Sequence, residues 1–428
     1  MLRRTIIMLA ASLLINIANV GAASSMTITA TSCSVSAVQS AVALANDGDI
    51  VIIPAETCVW STGITINNKA ISIIGADRNS TIITDATGST QQLFMVTTQG
   101  KKFRLSNMTI GGNPNDYDGH IKIGASNYRI DHITFTTTVD RTPLSLTGSG
   151  LVDNCIFGLT GRVANVYASG ATAIWSNASS YAPGTGVGVY FEDCDIYGHA
   201  IDSLLGNDGA IYVLRYSHIY NGAHLDLHGG DSNNRSGLFI EVYGNIFSNS
   251  GSLYYTAINM RGGSAIIFDN VFDVGKYGAP LRLINYRTCY NTTKPPNSIS
   301  AWNSGSTQLH VINQNRCEGG SQSVNPLDTN SDSTGWPCKD QIGRGPNQVS
   351  KPSYEWNNKW SDGSDVNFSV GDPWGCTNPS MADHIKSGRD FYNDTPAPGY
   401  TPYGTYTNGR YYHPLSAPYP PGNVNISN

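Results

Sequence analysis

Short runs of alternating apolar and polar residues recur along most of this 428-residue chain. FRLSNMTI (103–110), YRIDHITF (128–135), LVDNCIF (151–157) and YFEDCDI (190–196) can be laid on one another. VLRYSHI (213–219), IEVYGNI (240–246), IIFDNVF (266–272) and HVINQN (310–315) continue the series. The step is about 22 to 27 residues, with two longer gaps that read as loop insertions. One such unit cannot bury its apolar face alone, and β units repeating at this period predict a stacked solenoid, the parallel β-helix. Alternation also sets direction, because successive strand side chains point to opposite faces. The alignment places Cys155 and Cys194 in an inward column with Met108, Ile133 and Ser217, as small apolar side chains rather than a disulfide. Thr109, Thr134, Asp195, His218, Asn245 and Asn270 fall in the next column, where stacked amides serve the turns.

A second series of strands follows the same logic: HIKIG (120–124), PLSLT (143–147), AIDSL (200–204), HLDLH (224–228), AINMR (257–261) and PLRLI (280–284). The second position is always apolar and the fourth nearly always. The third then faces outward as Lys122, Ser145, Asp202, Asp226, Asn259 and Arg282. The fifth runs Gly124, Thr147, Leu204, His228, Arg261 and Ile284. Neighbouring rungs lie about 4.8 Å apart, so residues distant in sequence are brought together.

The ends differ from the middle. Ser34 can cap a helix whose face is Val35, Val38, Val42 and Ala45, and this helix would cover the first open end of the solenoid. Residues 1–23 carry Arg3 and Arg4, a short apolar run and small residues, the pattern of a secretory signal peptide that leaves no membrane segment after cleavage. The expected layout is a signal peptide (1–23), a β-helix domain (33–317) and an irregular Trp-, Tyr- and Pro-rich extension (318–428) that packs on it. Trp336, Trp356, Trp360 and Trp374 read first as aromatic packing and second as sugar platforms.

Composition narrows the function. The chain is rich in Gly and Tyr, only 13% charged, and carries a formal net charge of -5. A sequence pI near 6.0 argues against nucleic acid as a partner, and a monomer is expected. Eight cysteines in an exported chain predict disulfides, with Cys33–Cys58, Cys289–Cys317 and Cys338–Cys376 as the pairings.

The opening AVQSAVALANDGDIVIIP, the rungs and the export signal together resemble the pectate-lyase-like superfamily of right-handed parallel β-helices. The resemblance covers roughly residues 33–317. It implies an all-β, single-stranded right-handed β-helix with an N-terminal capping helix and an irregular C-terminal wrap. The superfamily holds lyases, hydrolases, esterases, epimerases and adhesins, so fold alone does not decide activity. The Arg-x-Pro-x-x-Arg signature of pectate lyases is absent, as are the Asn-Thr-Asp and Gly-His-Gly patterns of polygalacturonases. No catalytic residue can be carried over.

The site must therefore come from local chemistry. β-Elimination on a uronate polymer needs a cation to neutralise the carboxylate, a base for the C5 proton and an acid for the leaving oxygen. Arg261 or Arg282 suits the first role, His228 the second, and Tyr254 or Tyr255 the third. Asp226 joins this catalytic set. Lys122, Asp202, Asn259, Asp231 and Arg235 are substrate-binding candidates. Asp202 and Asp226 can instead hold Ca²⁺, whose ligands are oxygens. Two rivals stand beside the lyase: a glycoside hydrolase using Asp202 with Asp226, or Glu192, Asp193 and Asp208, and a non-catalytic glycan-binding adhesin. Arg215 aligns with Glu192 on another sheet and reads as structural. His224 occupies a variable strand start.

Overall fold

In the computed structural model, residues 25–285, 340–372 and 381–416 are described, apart from short stretches at 89–90, 114–117, 138–141, 159–162, 168–170, 198–202, 229–234 and 252. The expected export signal (1–23), the 310–315 unit, Trp336, Trp374, Cys289, Cys317, Cys338 and Cys376 lie outside the described residues.

The chain is a right-handed parallel β-helix. One sheet has twenty strands and a second has ten. Each coil feeds both. Val189–Glu192 and Asp195–Tyr197 belong to the long sheet, Leu204–Asn207 to the ten-stranded sheet, and Ile211–Arg215 starts the next coil. Apart from Thr405–Thr407 with Arg410–Tyr412, the described strands pair in parallel. Inward positions form a continuous apolar core: Leu225, Leu227, Ile258, Met260, Leu281 and Leu283 are all buried. The helix Val35–Leu44 sits at the first end. Ser34 Oγ accepts the Ala37 N–H, and Lys69 Nζ donates to the carbonyls of Val42 and Ala45 at its other terminus. Cys33 and Cys58 are joined, with Cα atoms 5.9 Å apart. Among the described residues no helix is long and apolar enough to cross a membrane.

Cys155 and Cys194 are free, buried and inward, in the column that Ile133 and Met108 begin. Asn245 and Asn270 correct the alignment by one residue. They stack in this same column, while Ile246 and Val271 continue the one through Asp195 and His218. The Asn245 amide donates to Asn270 Oδ1 at 3.0 Å and Asn270 donates to Asn358 Oδ1 at 2.9 Å. Each of these amides also donates to two backbone carbonyls at the bend. A buried carbonyl left unpaired costs about 1–3 kcal/mol, so the bend selects a side chain with this donor pattern.

Parallel stacking runs on beyond residue 317. Ser353–Trp356 pairs with Ser264–Phe268, Lys359–Trp360 with Val271–Phe272, Phe368–Val370 with Leu281–Leu283, and Phe391–Tyr392 with Ser353–Tyr354. The long segment between residues 285 and 340 breaks the sequence period, which hides these coils from an alignment based on spacing. The irregular part is shorter and lies on the outer face of the long sheet. There the Tyr400 hydroxyl meets Glu241, Arg215 donates to the Tyr403 carbonyl at 2.8 Å, and Arg410 pairs with Asp193 at 2.5 Å. Trp356 stacks on Phe268 at 4.4 Å beneath this cover, and Trp360 packs edge-on against Phe272.

Asn270→Ala is expected to lower stability by about 2–3 kcal/mol in denaturant unfolding, because two carbonyls and one amide partner lose their donor together. Burial pushes the Glu241 carboxyl above its ordinary 4.5, against the pull of the Gly184 N–H and the Tyr400 hydroxyl. A raised carboxyl supports the fold fully below its unfolded value and loses that support as pH climbs through its folded one. The melting temperature of Glu241→Gln should therefore rise relative to wild type between pH 4.5 and neutrality. A pH-independent difference would contradict this.

Candidate functional site

The outer face of the ten-stranded sheet carries the column that the sequence places there, with one rung changed. Paired positions run Met95, Lys122, Ser145, Asn165, Leu205, Asp226, Asn259, Arg282, Ser369. Leu205, not Asp202, stands beside Asp226. The AIDSL strand was aligned three residues early: Leu204 is the inward residue that matches Leu225. Asp202 precedes the strand and lies outside the described residues. Asn165 is an addition, from the strand Ala164–Tyr167, inside a stretch that reads as a loop insertion. Its A-N-V-Y alternation was the available signal. The neighbouring outward column gains Tyr167 and Asn207 in the same way.

Asp226, Asn259, Arg261, Arg282 and Tyr255 form one connected set. The Arg261 guanidinium meets the Asp226 carboxylate at 2.6 Å, with both side chains buried. Asn259 Nδ2 donates to Asp226 Oδ1 at 3.2 Å. Its Oδ1 accepts from Arg282 Nε at 2.8 Å. The Tyr255 ring covers the Arg282 guanidinium at 4.4 Å, and Tyr255 itself is 55% exposed. The Arg282 stem runs over Gly371, where a Cβ would come within 2.8 Å of its Cδ. Arg282 is thus held on three sides but only half-buried. Its column neighbours, Asn259 and Ser369, are uncharged, and it has no carboxylate partner among the described residues.

His228 follows the strand Leu225–Leu227 and shares a face with Asp226. Its Nδ1 is 2.9 Å from Asn207 Oδ1, so the tautomer set by that contact carries its proton on Nδ1 and its lone pair on Nε2. Arg261 lies on the next rung, with its N–H bonded to the Leu227 carbonyl. Tyr254 packs its ring over Gly222, which leaves Tyr255 as the tyrosine beside Arg282. His224 is buried.

Other candidates are placed elsewhere. Lys122 pairs with Asp118 at 2.5 Å, about four rungs or 19 Å from Asp226. Ser145 and Tyr167 join it through hydroxyl contacts of 2.9–3.4 Å among themselves and Asp118. Arg235 forks onto Asp340 at 2.5 and 2.6 Å, which makes it a tie to the later coils rather than a rim residue. Asp231 lies outside the described residues. Glu192 is buried against Arg215 on the long sheet, and Asp193 is taken by Arg410. Asp208 accepts the Arg235 N–H, and burial pushes its carboxyl up. Among the described residues of the column no carboxylate pair stands in register for hydrolysis. Of the two acids expected to hold calcium, Asp226 is met by Arg261 and Asp202 lies outside the described residues.

No family model matches the chain, and no curated protein matches it. Among solved structures it is distantly similar to the PL6-family alginate lyase AlyGC, at 14% identity and TM-score 0.36, covering 62% of this chain but 39% of that one. An alginate lyase from Paenibacillus sp. str. FPU-7 has the same identity and TM-score, covering 81% of this chain and 99% of that one. The catalytic domain of a GH87 α-1,3-glucanase follows at 10% identity and TM-score 0.32, covering 82% and 68%. Likenesses this distant, split between lyases and a glucanase, transfer neither a reaction nor a residue.

The two arginines should separate by stability. Asp226→Ala strands a buried guanidinium and is expected to cost about 3–5 kcal/mol. Arg282→Ala removes a half-exposed cation from a ring face and should cost about 1 kcal/mol. Equal losses in thermal unfolding would contradict this division.

Proposed function

We propose that this chain is a secreted polysaccharide lyase that cleaves a uronate-containing polymer by β-elimination. The observation that carries the reading is Arg282: a fixed, half-exposed cation without a carboxylate partner among the described residues. On the long sheet, by contrast, Arg104 and Arg129 meet carboxylates at 2.7 and 2.8 Å, as Arg261 meets Asp226 here.

In this reading Arg282 pairs with the uronate carboxylate and spreads its charge, which makes the C5 proton removable. His228 takes that proton on Nε2, with Asn207 holding the ring. The C5–H electrons form the C4–C5 double bond, and the C4–O bond breaks. The departing oxygen takes the Tyr255 hydroxyl proton, and solvent returns both side chains to their starting states. Arg261 and Asp226 are positioning residues, which keep Asn259 aimed at Arg282. Hydrolysis is less well served, since Asp226 is the one acid among the described residues of this part of the column and it is already paired.

The test is incubation with a panel of uronate polysaccharides, following the ultraviolet absorbance of the unsaturated product and new reducing ends. Both should rise together. Arg282→Ala should lower kcat/KM about 100-fold, and His228→Ala should abolish cleavage while leaving binding. Reducing ends without absorbance would replace the lyase with a hydrolase. Binding without any product would make this a glycan-binding protein.

A further inference from the structure

A second feature sits beside the polar column. After Tyr167 the chain leaves the solenoid, forms the helix Ala171–Ser176, and rejoins at Gly188. The detour leaves a gap in the row of turns, a cleft of about 440 Å³. That volume is in the range of small-ligand sites. Val166, Ile174, Val187 and Ile211 supply apolar walls, and Thr147 and Tyr167 supply hydroxyls at its edge. No charged side chain lines it among the described residues.

Gly124 keeps this cleft open. Its backbone is ordinary strand, outside the left-handed region that favours glycine. A Cβ built there would meet nothing closer than Thr147 Oγ1 at 4.0 Å. Neither conformation nor crowding requires glycine, and a larger side chain would project into the space. Tyr167 connects the cleft to the column, since its hydroxyl reaches Ser145 and Asp118.

We propose that this cleft is a subsite for an uncharged sugar unit of the polysaccharide that lies along the ten-stranded sheet. A pyranose offers a C–H face to the apolar walls and hydroxyls to the edge. A bare carboxylate would find no cation, because the nearest in the column, Lys122, is held by Asp118. The subsite lies four rungs, about 19 Å, from Arg282. Its role as part of a substrate groove rests on the lyase reading, while its ligand chemistry does not. The polymer it fits alternates or mixes charged and uncharged units, so that one meets Arg282 and another the cleft.

The probe is a fully methyl-esterified octauronate, compared with its free-acid form, in calorimetric titration against full-length His228→Ala protein. With Arg282→Ala added, the ester is expected to bind at least fivefold more tightly than the free acid, since the cleft is then the remaining site. Gly124→Leu should weaken ester binding tenfold or more. Val187→Trp, at a position 41% exposed, closes the cleft from its opposite wall and should do the same without stressing the strand. Matching melting temperatures would show that both variants fold. Undiminished ester binding in both variants, or no ester binding at all, would overturn the subsite. Failure of wild-type protein to cleave any uronate would overturn the lyase reading alone, because the ester titration is read without cleavage.

Discussion

The fixed rise between coils, about 4.8 Å, is the constraint on which the rest of the structure depends. It gives every outward side chain one neighbour above and one below, chosen by register rather than by sequence distance. A charge placed on such a sheet must be answered by the next rung or by solvent. Arg261 is answered by Asp226 at 2.6 Å, and Arg129 by Asp153 at 2.8 Å. Arg282 has Asn259 on one side and Ser369 on the other, so its charge stays available.

The two outer faces of the solenoid have been put to different uses. The long sheet buries its acids and bases under the C-terminal segment, with Glu192, Arg215, Glu241 and Tyr243 all enclosed. Those groups act as fasteners: Arg215 reaches Glu192, Tyr243 and the Tyr403 carbonyl at once. The ten-stranded sheet keeps its polar column nearer to solvent at Lys122 and Arg282, with the exposed Tyr255 ring beside the latter. In the proposed reading a sugar chain lies along these rungs.

Much of this was legible in the sequence, because alternation and repeat length report directly on strand direction and stacking. Four of the five residues aligned with Asp226 do share its column. Asp202 failed for an instructive reason. AIDSLLGN contains two alternation frames, and only pairing with the flanking coils chooses between them. The aligned column itself offers a surface ion pair of Asp226 with Arg261 or Arg282; it does not show that the Arg261 pair is buried, and burial decides whether an arginine is a tool or a tie. The coils after residue 340 were hidden by the segment that separates them from the repeat. The cleft beside Tyr167 arises where the chain leaves the stack; the longer gap in the repeat marks the interruption but not the space it leaves.

The central claim is that Arg282, on the outer face of the ten-stranded sheet, receives the carboxylate of an acidic sugar. A crystal structure of the His228→Ala protein soaked with a uronate oligosaccharide tests it most directly. The account predicts a carboxylate on the Arg282 guanidinium, with the sugar chain running along the column toward Lys122. An oligosaccharide bound on the long sheet, or on this face with its carboxylates turned away from Arg282, would contradict it.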